Sequence, residues 1–246
     1  MKLTVIGFWG AYPSAGGATS GYLVEHDGFK LLVDCGSGVL SRLQQFIGVT
    51  DIDAVILSHY HHDHIADIGV LQYSWKVQNT LNETNHVLPI YGHQEDQTAF
   101  EQLTHEYTKG VAYDPEQTLQ LGPFTIDFQR TQHPVSCFGM RLTDGMDTVV
   151  YTADSSYFEE WKSFAKGADL LITDTNFYKG MDGSKPGHMT SEEVASIARE
   201  AQVETLYLSH LPHFGNLTKL KQEAEDSFKG HIVVADEGLT WRKREQ

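Results

Sequence analysis

The 246-residue chain has only two cysteines, Cys35 and Cys137. Two thiols make no disulfide framework, so apolar burial must hold the fold. Both follow apolar or turn segments and read as reduced, partly buried thiols. Positive charge is also scarce: 18 Lys and Arg stand against 33 Asp and Glu, a net charge of −15. That balance disfavours wrapping a polyanion such as tRNA over a broad surface. A small anion remains acceptable where a local positive centre, such as a metal ion, receives it. No apolar run approaches the ~18 residues of a membrane span. The opening "MKLTVIGF" lacks a signal-peptide pattern and reads as a strand. A soluble protein of a reducing, cytoplasmic compartment is therefore expected. Low-complexity tracts, charge blocks and linkers are missing too, and the length suits one domain, 1–246.

What is present is a repeated pattern. The short apolar runs "KLLVD", "AVILSH", "TVVYTAD", "LLITD" and "TLYLSH" end at Asp34, His59, Asp154, Asp174 and His210. Such β-branched-rich runs suit strands buried on both faces. One run ending in Asp would mean little, since Asp is a common turn residue. Five ending in metal-competent side chains suggest that rigid strand ends carry chemistry. Helical patterns lie between them. Ile68, Leu71, Gln72 and Trp75 have helical spacing. "SSYFEEWKSFAKG" offers Ser caps, apolar Phe158, Trp161 and Phe164, and a stop at Gly167. "TSEEVASIAREA" opens with a capping box, Thr190 and Glu193, and carries an apolar stripe of Val194, Ile197, Ala198 and Ala201. "LGPFTIDFQRTQ" alternates with period two, as a half-buried strand does. The fold class is α/β.

The densest feature is "SHYHHDH", Ser58 to His64. A lone His would read as incidental surface. Five metal-competent side chains within six positions, directly after a buried strand, do not. Zinc-like metals take imidazole nitrogen and carboxylate oxygen. His59 and His61, two apart, share one side of an extended segment. Asp63 and His64 sit on the turn into a helix and can address a neighbouring ion. Each half-site needs further ligands, and His133, Asp154 and His210, at strand ends or just beyond, are available.

With those residues, "H59-Y-H-H-D-H64" resembles the H-x-H-x-D-H signature of the metallo-β-lactamase superfamily. His133, Asp154 and His210 match the remaining ligands in order and approximate spacing, and the resemblance covers nearly the whole chain. It implies a four-layer αβ/βα sandwich of two mixed sheets flanked by helices. It also implies two divalent ions, zinc favoured over manganese. His59, His61 and His133 would hold one, Asp63, His64 and His210 the other, with Asp154 bridging. His62 falls at a variable position. Asp34 resembles a carboxylate that orients ligand imidazoles.

"TADSS", "ITDTNF", "GHMTSEEVASIA" and "LYLSHLPHF" resemble the ribonuclease Z-like phosphodiesterase branch. There, a His in the "GHMT" position donates a proton at the scissile phosphate and a carboxylate in the "TDTNF" position orients it. These would be His188 and Asp174. His188 also precedes a helix N-terminus, whose free N–H groups favour an anion, and Gly187 allows close backbone approach to a ligand. tRNA-processing members carry a long basic arm between the third His ligand and the bridging Asp. Here "PVSCFGMRLTDGMDTVVYTA" fills that interval with a strand, a turn and a strand. The resemblance therefore points to armless relatives acting on small cyclic or linear phosphodiesters, tRNA being disfavoured, and commonly to homodimers. A metal-bridging hydroxide would attack phosphorus, with catalytic roles for Asp63, His188 and Asp174. Two divalent ions less two carboxylates and a hydroxide leave one positive charge, which suits a phosphodiester monoanion.

The other histidines read blandly. His26, His86, His105 and His231 lie in surface-like settings, and surface is the better reading of His93. His213, three past His210, could contact substrate, although Pro212 and Phe214 suggest a packed turn. "SAGGATSG" has no phosphate-loop Lys and reads as a tight loop near the cleft mouth. The alternative enzyme is a hydrolase of an ester, lactone or thioester, since these share the metal ligands. A non-enzymatic scaffold is opposed by the acidic balance and the complete ligand set.

Overall fold

The structure, a computed structural model, describes residues 1–243. In chain order the elements are β1 (Lys2–Gly7), β2 (Gly21–His26), β3 (Phe29–Val33), α1 (Val39–Leu43), β4 (Ala54–Ile56), α2 (His62–Ile65), α3 (Ile68–Asn82), β5 (Leu88–Gly92), α4 (Gln97–Glu101) and β6 (Thr108–Ala112). They continue as β7 (Leu119–Leu121), β8 (Phe124–Arg130), β9 (Phe138–Thr143), β10 (Thr148–Tyr151), α5 (Glu160–Phe164), β11 (Leu170–Asp174), α6 (Ser191–Glu200), β12 (Thr205–Ser209), α7 (Leu217–Ser227), β13 (His231–Val234) and β14 (Thr240–Arg242). Packing divides the chain into two compact units: Met1–Asp114 with Glu237–Arg242, and Pro115–Asp236 with Lys243.

The first unit is built on a seven-stranded sheet, β14-β1-β2-β3-β4-β5-β6. It is antiparallel from β14 to β3 and parallel from β3 to β6. Leu23, Leu32, Val55, Leu57, Leu88 and Ile90 form its core with Ile68, Leu71 and Trp75 of α3. The 68, 71, 72, 75 spacing thus marks a real helix. Its two buried polar residues are satisfied: Gln72 donates to the carbonyls of Gln102 and Leu103 and to the hydroxyl of Thr108, and Asn79 to the carbonyls of Trp75 and His86.

The second unit holds the other seven-stranded sheet, β13-β12-β11-β10-β9-β8-β7. Here β10 to β13 are parallel and β7 to β10 antiparallel. All five residues of β11 are buried, as two-faced burial in a parallel sheet requires. The "LGPFTIDFQRTQ" stretch is a hairpin: Gly122, at φ 57°, turns β7 into β8. Helix α6 packs on β11 and β12 and α7 on β13. Thr190 accepts from the Glu193 amide while the Glu193 carboxylate accepts from the Thr190 amide and hydroxyl, so the expected capping box is present.

All five strand runs form, and those expected to carry chemistry lie in parallel neighbours. In the first sheet β3 and β4 end at the same edge; in the second, β10, β11 and β12 do. The α/β class with two mixed sheets is as expected. One local expectation fails. The helix after Ser155 begins only at Glu160, with Glu159 as cap, because Ser155 and Ser156 bond elsewhere. Among the described residues no helix is long and apolar enough to cross a membrane. Both cysteines are buried, and burial holds the Cys35 thiol well above its ordinary pKa, so it is inert.

Candidate metal centre and acid–base pair

In the first unit the hub is Asp34, fully buried just beyond β3. Its Oδ1 accepts from the Ser58 amide at 2.8 Å. Its Oδ2 accepts from the Ser58 hydroxyl and from His64 Nδ1, both at 2.8 Å. These bonds fix tautomers. A hydroxyl has one proton; Ser58 gives it to Asp34, so at 3.0 Å from His59 Nδ1 its oxygen accepts. His59 and His64 therefore both carry their proton on Nδ1 and present the Nε2 lone pair, the form a cation needs. His59 Nε2 lies 3.2 Å from His61 Nδ1, and His64 Nε2 lies 3.8 Å from Asp63 Oδ2. The Ala11 amide donates to that same Asp63 oxygen at 2.8 Å, so the segment leading into the glycine-rich loop holds Asp63. His62, the first residue of α2, is exposed.

The second unit repeats the device. Asp174, fully buried at the end of β11, accepts from His188 Nδ1 at 2.7 Å and the Ser155 amide at 3.1 Å through Oδ2. Through Oδ1 it accepts from His210 Nδ1 at 3.3 Å. The Gly187 carbonyl accepts from His133 Nδ1 at 3.1 Å. His133 and His210 thus also present Nε2. The two oxygens of Asp154 face different rings: Oδ1 lies 3.3 Å from His210 Nε2 and Oδ2 lies 3.8 Å from His133 Nε2. Backbone strain aims these groups. Asp34, Ala153 and His210 sit in the left-handed region, at φ 57°, 51° and 50°. Each turns the chain sharply off its strand, at a cost of ~1–2 kcal/mol.

The donor atoms fit a divalent cation in chemistry and spacing. Two ligands ~2.0–2.2 Å from a tetrahedral ion lie ~3.4 Å apart. The lone-pair atoms paired within each unit lie 3.2 to 3.8 Å apart. Asp154, Asp174, His188 and His210 each place a ligand atom within 4.8 Å of the others. His188 is the least enclosed, with 17% of its side chain exposed. Burial disfavours its charged form, but the Asp174 carboxylate outweighs burial and raises its pKa above the ordinary imidazole value.

Three expectations need correction. His93 is not a surface residue: it is 1% exposed, its ring lies against Tyr60, and its carbonyl accepts from the Tyr60 hydroxyl at 2.6 Å. The α6 N-terminus is largely taken up by its own chain: the Glu193 carboxylate accepts from the Thr190 amide, the Phe177 carbonyl from the Ser191 amide and the Thr190 hydroxyl from the Glu193 amide. Gly187 does allow close approach, but to His133. A Cβ there would lie 2.7 Å from His133 Nδ1, and its φ is +81°. Gly187→Ala is therefore expected to displace the His133 ring and lower metal content ~10–100-fold in affinity, measured by metal titration of the purified variant. His86, His105, His213 and His231 are exposed and His26 is half-buried. Ser58 and the second bond of Asp174 escaped sequence reasoning. A Ser directly before the first His was the only available signal.

The family model described as the beta-lactamase superfamily domain matches residues 30–211, from Lys30 to Leu211. The chain belongs to this superfamily. Within it, the chain is 53% identical to the probable metallo-hydrolase YhfI of Bacillus subtilis, over 98% of this chain and 99% of that one. The crystal structure of YhfI, a metallo-beta-lactamase fold protein, superposes with a TM-score of 0.96 at 52% identity, covering 98% of both chains. Ribonuclease Z of Haloferax volcanii is 26% identical over 97% of this chain and 93% of its own. The crystal structure of a diphosphatase from the PhnP family shares the fold, with a TM-score of 0.77 at 19% identity over 99% and 98%. The metallo-β-lactamase fold and the kinship with ribonuclease Z expected from the motifs are thereby shown, and the superfamily member is a metallo-hydrolase.

Proposed function

We propose that the protein is a binuclear phosphodiesterase acting on small cyclic or linear phosphodiesters. The observation that carries this is the His188–Asp174–His210 arrangement. One carboxylate holds a protonatable imidazole and, beside it, a ring with ligand chemistry; the two rings stack with centroids 5.1 Å apart. An alkoxide leaving a phosphodiester needs a proton, whereas a thiolate leaves without one. The names ribonuclease and diphosphatase carried by two relatives describe phosphorus–oxygen cleavage, which supports the same reading.

In this proposal His59, His61 and His133 hold one ion, Asp63, His64 and His210 the other, and Asp154 serves both. Zinc is favoured over manganese by the imidazole-rich set. The bound ions supply an activated water and polarise a phosphoryl oxygen. His188 donates to the departing oxygen, and Asp174 keeps its proton-bearing Nδ1 bonded so that Nε2 faces the substrate. A small substrate is favoured over tRNA. Between His133 and Asp154 the chain is spent on β9, a turn and β10. Against Haloferax volcanii ribonuclease Z the alignment runs to 301 positions, so that enzyme carries residues with no counterpart in these 246. The proposal takes 1–246 as one functional domain, cytoplasmic and homodimeric; sedimentation and fractionation read the last two directly.

Metal analysis coupled to rates on bis-p-nitrophenyl phosphate, a lactone and a thioester tests the reading. Preferred turnover of the lactone or thioester would replace it with the alternative hydrolase. His188→Ala is expected to keep its metal and lose ~10²–10⁴-fold in kcat. An unchanged rate removes His188 from the chemistry.

A further inference from the structure

Phe214 is 46% exposed. A single exposed aromatic residue is ordinarily unremarkable, but this one is held in place. The Tyr178 hydroxyl donates to its carbonyl at 3.0 Å, and the Tyr178 ring lies 5.8 Å from its own, tilted by 59°. Gly215 follows at φ +76°, so close to Tyr178 that a Cβ would fall 2.6 Å from ring atoms. Asn216 then caps α7 through the Thr218 amide. The Phe214 ring is therefore presented to solvent from a rigid corner, not left on a loose loop.

It also leads to the proposed chemistry. Phe214 and Phe177 lie 6.2 Å apart, centroid to centroid, and Phe177 lies 6.2 Å from His188. Phe177 is half-buried and seated against Gly183, where a Cβ would come within 2.9 Å of its ring. From the proton donor outward, the second unit thus shows two fixed aromatic rings, with Lys219 Nζ 5.7 Å from the centroid of the Tyr178 ring that packs on Phe214. A phosphodiester at His188 would direct its leaving group along this wall.

We propose that Phe177 and Phe214 form a stacking subsite for a planar heteroaromatic group on the leaving side, so that the preferred substrates are nucleotide phosphodiesters and not base-free sugar phosphodiesters. This rests on the phosphodiesterase reading above. Stacking suits the wall because every nucleobase offers a π-face and needs no charge from the protein. An acidic chain can in this way gain affinity for an anionic nucleotide without a basic patch.

The test compares kcat/KM for adenosine cyclic phosphate with that for the same cyclic phosphate of 1-methoxyribose, in wild type, Phe214→Leu and Phe214→Ala. Stacking is worth ~1–3 kcal/mol per base, so the wild type should favour the base-bearing diester by about 5–150-fold. Phe214→Ala should erase most of that ratio through KM, and Phe214→Leu, which keeps bulk but no π-face, should erase part of it. Quenching of an etheno-adenine nucleotide should weaken in parallel, a readout that does not depend on turnover. Equal wild-type rates on the two diesters, or a ratio untouched by both substitutions, overturns the subsite and leaves the phosphodiesterase standing. No turnover of either diester overturns the subsite; the phosphodiesterase falls with it only where bis-p-nitrophenyl phosphate is not hydrolysed either.

Discussion

Asp174→Ala is expected to lower turnover more than removal of the proton donor itself. The carboxylate accepts from His188 through one oxygen and from His210 through the other. Its loss frees the donor, worth ~10²–10⁴-fold, and unfastens a proposed ligand, worth a further ~10–100-fold in metal affinity. The combined loss in kcat/KM is about 10³–10⁶-fold at limiting metal. His188→Ala should lose only the first part and keep its ions. Metal content therefore separates the two variants: equal metal in both would show that His210 does not depend on Asp174.

Asp174→Asn sharpens the point. The Ser155 amide can only donate, and it donates to the same oxygen as His188. The Asn side chain must therefore keep its carbonyl there and turn its NH2 toward His210. Facing a donor, His210 shifts its proton from Nδ1 to Nε2 and loses the lone pair a cation would use. Asn should thus retain the hydrogen bond to His188 yet bind metal poorly, the reverse of His188→Ala. Nitrogen shifts of the labelled imidazoles report the tautomer directly.

The strand ends were legible in the sequence because their runs are fully apolar and stop at a polar residue. "LLITD" can hardly be anything but a buried strand, and β11 is buried throughout. The capping box of α6 was legible for the same reason: its signal is local. The proposed ligand order rests on resemblance alone, since nothing local joins His133 to Asp154. Resemblance also supplied Asp174 with His188 and Asp34 with an imidazole; what stayed hidden were the long-range bonds that it did not supply. Asp34 to Ser58 spans 24 residues and Asp174 to His210 spans 36. Ser155 looked like a helix cap because serine suits that role, but its amide is committed to Asp174 and its hydroxyl to the Ser156 carbonyl. His93 looked like surface from its polar neighbours, whereas Tyr60, itself inside the histidine cluster, covers it.

Asp34 should show the largest coupled loss of stability and metal. In Asp34→Ala the Ser58 amide and the His64 Nδ1 proton lose their buried acceptor, at ~1–3 kcal/mol each. The resulting ~2–6 kcal/mol is a large share of the ~5–15 kcal/mol that holds a domain, and denaturant midpoints should fall accordingly. Asp34→Asn preserves the shape and isolates the electrostatics. The Ser58 amide again forces the carbonyl to the Oδ1 position, which puts NH2 against the Ser58 hydroxyl and His64. The hydroxyl, now accepting from Asn, must give its proton to His59 Nδ1, and His64 must accept where it had donated. Both rings then carry hydrogen on Nε2. One isosteric change thereby withdraws a proposed ligand from each ion, for ~10²–10⁴-fold in combined affinity if each partner is worth ~10–100-fold. The fold should survive it better than it survives Ala. An Asn variant that binds metal as the wild type does would mean that Asp34 supports the fold without setting the imidazole protons.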